Sequence, residues 1–248
     1  MTRGSDIIRT RCRLSAGQFT LDVADAELAG LVERGAVVVI PAWPADTVLA
    51  YRQQARDWMA RRPPLPHGRS ASVPGISFHR RDDEHCEALI PHVFHQLALC
   101  ELSHDDPGFW RSSVELVTPL LALQNRLAGT ALSLSDPALK IKVINHPMGG
   151  GSFARHVHPL EPMRVAFFLG LSRPGTDYRD GGLYVAPGDR YLPLQPLIGP
   201  GDAVLFRYDL PHGIDPVDPG VERDWSGETG LWLLSAELTS SYPATRQA

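Results

Sequence analysis

The chain has 248 residues and a mass of 27.2 kDa, enough to bury one sizeable core without disulfides or structural metal. Hydrophobic residues at 43% and charged residues at 21% exclude a disordered polypeptide. A net charge of −4 leaves no basic excess to neutralise a phosphate backbone, so no nucleic-acid partner is expected. Three cysteines, Cys12, Cys86 and Cys100, are too few and too irregular for a disulfide framework or a thiolate zinc site, which points to a reducing compartment. Met1 to Asp6 leads into no apolar signal region, and the apolar runs are too short to span a bilayer. A soluble cytoplasmic protein without a membrane partner is expected.

In chain order, Asp25 can cap a short helix over Ala26–Arg34, which Gly35 ends. Ala36–Ile40 is β-branched and bounded by Gly35 and Pro41, the pattern of a buried strand. A helix fits Ala45–Arg62, with Val48, Tyr51, Ala55, Trp58 and Met59 as its apolar stripe and Pro63-Pro64 as its stop. Pro63 to Pro74 carries no periodicity and reads as a loop. Glu87–Leu102 reads as a helix interrupted by Pro91, and Ser113–Ala128 as a helix with a leucine repeat before Gly129.

After about residue 136 the texture changes. Short apolar runs alternate with turns at Leu139–Ile144, Phe153–His158, Val165–Leu171, Gly182–Val185, Tyr191–Ile198, Ala203–Phe206 and Leu231–Leu238. A spacing of about eight to twelve residues per strand predicts a sandwich or barrel. The 22 glycines and 22 prolines, spread along the chain, fit many turns between short strands. The expected organisation is a single domain over 1–248. Residues 1–135 form a mostly helical layer and residues 136–240 the β core.

The chemistry concentrates in that β half. His156 and His158 stand at i and i+2, which a strand would direct to one face, and His212 follows in GDAVLFRYDLPHGIDPV. Three imidazoles converging inside a barrel would make a mononuclear metal site, whereas any one of them alone reads more readily as a hydrogen-bonded structural residue. Other clusters carry less. Arg80-Arg81-Asp82-Asp83-Glu84-His85 reads as a solvated helix start, His92 and His95 as helix surface or packing, and His104-Asp105-Asp106 as turn chemistry. Gly149-Gly150-Gly151 lacks the lysine and helix of a phosphate loop and instead lets the backbone turn tightly.

Over residues 139–238 these elements resemble the Fe(II)/2-oxoglutarate-dependent dioxygenase superfamily. Its pattern is His-x-Asp/Glu, a strand, a Gly-Gly turn, a Gly-Asp-x-x-x-Phe strand, a distal His, and a basic residue soon after. Here the corresponding segments are His156-Val157-His158, Arg164–Leu171, Asp180-Gly181-Gly182, Gly201–Phe206, His212 and Arg223. Ala36–Ile40 and the helix after it also look like the N-terminal region of the phytanoyl-type branch. The resemblance implies a mainly β fold with α, a double-stranded β-helix (jelly-roll) barrel with a helical N-terminal layer. It implies Fe(II) held by His156, His158 and His212, with 2-oxoglutarate as cosubstrate anchored by Arg223 (Arg207 as fallback) and contacted by His146. The implied activity is O2-dependent oxidation of an unactivated C–H bond of a small molecule. Hydroxylation is the default outcome, with desaturation, ring closure or halogenation sharing the early steps.

One position departs from the pattern, because His158 stands where a carboxylate belongs. Either His158 is itself a ligand, or Glu161 supplies the carboxylate, or the position is vacant. Gly150 to Gly170 also resembles the first cupin motif, whose three-histidine dioxygenases use no keto acid. A non-catalytic jelly-roll binding protein is a third alternative. For the prime substrate, Arg69, His79 and Arg80 in the Pro63–Asp83 segment are candidate contacts, with surface charge as their simpler role.

Overall fold

A computed structural model describes residues 7–65, 74–86 and 88–238. The N-terminal part contains β1 (Ile7–Arg9), β2 (Cys12–Ser15), β3 (Gln18–Leu21), α1 (Asp25–Glu33), β4 (Val37–Pro41), α2 (Ala45–Ala60), β5 (Phe78–Asp82), β6 (His92–Leu99) and α3 (Pro107–Ala128). Eight further strands follow: β7 (Leu139–His146), β8 (Gly151–His156), β9 (Val165–Gly170), β10 (Gly182–Val185), β11 (Leu192–Pro193), β12 (Asp202–Arg207), β13 (His212–Val217) and β14 (Leu231–Leu238).

Strands β7 to β14 form a jelly roll. One sheet runs β12-β9-β14-β7 and the other β8-β13-β10-β11, so consecutive strands alternate between sheets except for the β10–β11 pair. β4 and β1 extend the first sheet beyond β12. On its other edge β6 pairs with β7, and its first residues, His92 and Val93, pair with β8, which joins the two sheets. β5 pairs with β6. Along β14 the side chains alternate. Leu233 and Glu237 face a cavity inside the barrel, so Trp232, Leu234, Ala236 and Leu238 point the other way. Helix α3 packs against β9 and β14 and also against α1 and α2. All five residues of the α2 stripe are buried, and the Tyr51 and Ser113 hydroxyls join α2 to α3 at 2.9 Å.

The first 135 residues are less helical than their sequence suggests, since six strands share them with three helices. The segment read as a helix around Pro91 is β6, buried along its whole length. Its histidines are not helix surface. His92 meets Asp82 and the Ile90 carbonyl, while His95 meets His79 and the Trp225 carbonyl. Buried polar groups satisfied in this way are compatible with a central strand. Arg80 and Asp82 lie buried on β5 rather than at a solvated helix start, with Arg80 Nε 2.8 Å from Asp82. Tyr191–Ile198 holds only the two-residue β11 before a short 3-10 turn at Gln195–Leu197, because Pro193 and Pro196 interrupt the run. β13 escaped the apolar pattern because Gly213, Asp215 and Pro216 interrupt it, yet β8 and β10 flank and hold it.

Helix α3 starts six residues before the expected Ser113. The Asp106 side chain accepts from the Phe109 amide at 3.0 Å and Pro107 occupies the first turn, so the acidic pair before Pro107 is a cap rather than a free turn. Asp25 is not the cap of α1; it lies inside the first turn and accepts from Arg126 at 2.7 Å. The two aspartates should therefore respond differently. Asp106→Ala is expected to lower unfolding stability by about 1 kcal/mol, and Asp25→Ala, which loses only a surface pair, by about 0.5 kcal/mol or less. Urea denaturation of both variants checks this.

Candidate metal centre

The three histidines meet at one end of the barrel for a reason of register. His156 ends β8 and His212 begins β13, and the two are direct partners across the antiparallel ladder. Cross-strand partners project to the same face. His158 follows two residues after His156 and returns to the same side, so its Nε2 comes 3.2 Å from the Nε2 of His156. One nitrogen from each of the three rings lies within 4.8 Å of the others, and all three residues are buried.

The rings are held by what surrounds them. The Nδ1–H of His156 donates to the Ala154 carbonyl at 2.9 Å, and that of His212 to the Leu210 carbonyl at 2.8 Å. A carbonyl only accepts, so each Nδ1 carries the proton and each Nε2 keeps its lone pair for the cluster. Phe153 stacks on His156 at 4.3 Å between centroids, Tyr208 stacks on His158 at 4.3 Å, and Phe206 meets His212 edge-on at 5.2 Å. Burial pulls His156 down to about 4 and His212 down to about 3, and the neighbouring imidazoles reinforce both shifts. Both are neutral, which is the form a metal ion needs.

The cavity between the rings is lined by Ile144, His146, Phe153, Phe168, Leu183, Ile214, Leu233 and Glu237 besides the three histidines. Its volume of about 20 Å³ holds about one water. His146, expected at the cosubstrate, does line this cavity. Glu161 does not. Its carboxylate is exposed and pairs with Arg164 at 3.3 Å, so it cannot stand in for the missing carboxylate in this conformation.

Arg223 also lies away from the cavity lining. Its guanidinium pairs with Glu84, its Nε donates to the Gly149 carbonyl at 3.1 Å, and it covers the Trp225 ring. Arg207 is engaged by both oxygens of Asp209. Among the described residues, the buried cations Lys140 and Lys142 both project from β7 on the face of Ile144 and His146, and Lys142 pairs with Glu237. Sequence reasoning passed over Lys142 and Glu237. The signal was an inward lysine and glutamate within the otherwise apolar Leu139–His146 and Leu231–Leu238 runs. His79 and Arg80 are buried on β5, and Arg69 lies outside the described residues.

No family model matches the chain, and no curated protein matches it either. Solved structures do. A prolyl-4-hydroxylase from Pseudomonas putida aligns with a TM-score of 0.55 at 16% identity, covering 86% of this chain and 97% of that one. A prolyl hydroxylase from Trichoplax adhaerens, in complex with a hypoxia inducible factor peptide fragment, aligns at 0.51 and 15%, covering 86% and 89%. The non-haem alpha-ketoglutarate-dependent epimerase SnoN of nogalamycin biosynthesis aligns at 0.52 and 15%, covering 86% and 79%. The fold is that of the 2-oxoglutarate/Fe(II) oxygenases. The three-histidine group fits the variant His-x-His reading of that pattern.

The two groups that this fold implies fare differently against the residues present. A metal ion fits, because one nitrogen from each of three buried imidazoles converges on one pocket, and His156 and His212 are held neutral with Nε2 unprotonated. Two nitrogens each about 2.1 Å from one ion on adjacent coordination positions would stand roughly 3 Å apart, and His156 and His158 stand at 3.2 Å. The keto acid does not fit this conformation, since the cavity is water-sized and Lys142 is engaged by Glu237.

The buried histidines also set a pH dependence. His95 and His146 are pulled down to about 3, alongside His156 and His212, chiefly by desolvation. Each has a folded pKa below the unfolded value of about 6.5, so below that pH the unfolded chain takes up protons that the fold refuses. Stability is therefore full above about pH 6.5 and falls as the pH drops toward 4. The metal-free chain is expected to lose more than about 5 °C in Tm between pH 7 and pH 5. Thermal denaturation across that range checks this, and a flat profile would contradict it.

Proposed function

We propose that this chain is a mononuclear non-haem Fe(II) oxygenase that oxidises a C–H bond of a small molecule with O2, hydroxylation being the default outcome. The observation that carries the reading is the convergence of three buried imidazoles inside a jelly roll. His156, His158 and His212 would hold the ion. Iron, when bound, supplies the oxygen-activating chemistry that side chains lack. The chain's own part is orientation and exclusion. Carbonyls and aromatic rings fix the imidazoles, while Ile144, Phe168, Leu183, Ile214 and Leu233 keep bulk water from the pocket.

Two cosubstrate readings divide the observations. The fold favours 2-oxoglutarate, on which the similarly folded epimerase SnoN depends. The cavity favours the alternative, a three-histidine dioxygenase that works without a keto acid. Its inner cation is neutralised, and the arginine expected to anchor the keto acid is bound to Glu84. A non-catalytic binding role would leave the paired ring orientations unexplained.

Anaerobic titration of the Fe(II)-loaded protein with 2-oxoglutarate separates these readings. A saturable visible charge-transfer band supports the keto-acid enzyme, and its loss in Arg223→Ala would restore Arg223 as the anchor. Tight iron binding without a band, together with O2 consumption in the absence of keto acid, supports the second reading. Failure to bind iron overturns both. For the ligands, His158→Ala is expected to weaken Fe(II) binding by more than about 100-fold, because even an outer partner costs about 10–100-fold. Glu161→Gln, exposed and remote from the cluster, should leave it unchanged. Metal-competition assays measure both, and near-normal loading of His158→Ala would remove it from the ligand set.

A further inference from the structure

The His-x-His sequence leaves a charge problem. Three neutral imidazoles around a divalent ion contribute no negative charge, so the loaded pocket carries +2 in a low-dielectric interior. Glu237 is the acidic side chain among the described residues that line the cavity. It projects inward from β14 on the same face as Leu233, which also borders the cavity, and it is buried. Its carboxylate is held from one side by Lys142 Nζ across the β7–β14 ladder and from another by the Ser235 hydroxyl at 3.3 Å. Glu237 borders the cavity and Lys142 does not, and the charge of Glu237 acts on His156 and His212.

We propose that Glu237 is the counter-charge of the metal centre, replacing from the last barrel strand the carboxylate that the His-x-His motif lacks. It acts through space rather than as a ligand, since its oxygens are not part of the converging nitrogen group. Lys142 positions it and offsets part of its charge. This role rests on the metal-centre reading above. Burial alone would raise the Glu237 carboxyl, but the Lys142 ammonium beside it holds it below the usual carboxylate range, so the negative charge is present throughout the neutral range. The other groups facing it are Lys140, opposite it in the ladder, and the three cluster histidines.

The two partners of one ion pair then have opposite effects on metal affinity, which a purely structural pair would not show. Metal-free protein is titrated with Co(II), with visible absorption reporting uptake and coordination, and the melting of each metal-free variant reporting its fold. Glu237→Gln is expected to weaken Co(II) binding by about tenfold or more, and Lys142→Met to strengthen it by a similar factor, because an unopposed carboxylate near the ion is worth at least about one decade. The double variant should return to within about threefold of the parent, which isolates the coupling. Glu237→Asp keeps the charge and should retain affinity, so the role is testable even if Lys142→Met does not fold. Shifts of the same sign in Glu237→Gln and Lys142→Met, or equal losses in Glu237→Gln and Glu237→Asp, would overturn this role while leaving the metal centre standing. No Co(II) uptake by the parent chain would overturn both.

Discussion

Three imidazole lone pairs aimed at one another inside an apolar cavity are the constraint around which this barrel is arranged. The cavity has room for about one water, and protonation of His156 and His212 is opposed by burial and by mutual repulsion. The arrangement persists because its parts are fixed independently of the ion. The β8–β13 register places His156 beside His212, backbone carbonyls two residues upstream take the Nδ1 protons, and Phe153, Tyr208 and Phe206 lock the ring planes. Such preorganisation means that little ordering remains to be done when a ligand arrives. Close backbone packing serves the same end. A Cβ on Gly149 would sit 2.4 Å from the Arg223 backbone, so only glycine lets the turn between β7 and β8 lie against that loop.

The barrel interior is unusually polar for a core of this size. Lys140, Lys142, Ser235 and Glu237 are all buried on adjacent strands, where apolar residues would pack at lower cost. A buried ion pair is weak evidence for stability, because desolvation can exceed the attraction it gains. Retaining one beside a cluster of metal-ligand types is better explained by the electrostatics of that cluster. The same physics accounts for where the other charges went. Arg223 and Arg207, free to reach solvent, are matched to Glu84 and Asp209 instead.

The jelly roll was legible because its strands are short, apolar and separated by glycine and proline. Gly182–Val185 and Leu231–Leu238 fall on the same residues in sequence and structure. The three histidines were legible because an i,i+2 pair survives any small error in strand bounds. What failed was the region where burial is carried by polar residues. β5 and β6 contain His79, Arg80, Asp82, His92, His95 and Gln96, all buried and cross-bonded, and a hydropathy pattern reads such residues as exposed. Arg223 illustrates a different limit. Spacing from His212 fixes how far along the chain a residue lies, but the loop between β13 and β14 carries it out against Gly149 rather than back into the barrel. Lys142 and Glu237 could be recognised only once the ladder showed which face of each strand points inward.

Fold alone leaves the reaction open, since the matched structures include prolyl hydroxylases and an epimerase. Differences among such enzymes must arise from what surrounds the ion. In this chain the cavity walls are aliphatic and aromatic, the sole carboxylate lining the cavity among the described residues sits on the last strand, and the space is water-sized. A substrate carbon can approach the histidines only if that wall moves. Phe168 is the large part of that wall beside His212, while Tyr208 stacks on His158 outside the lining.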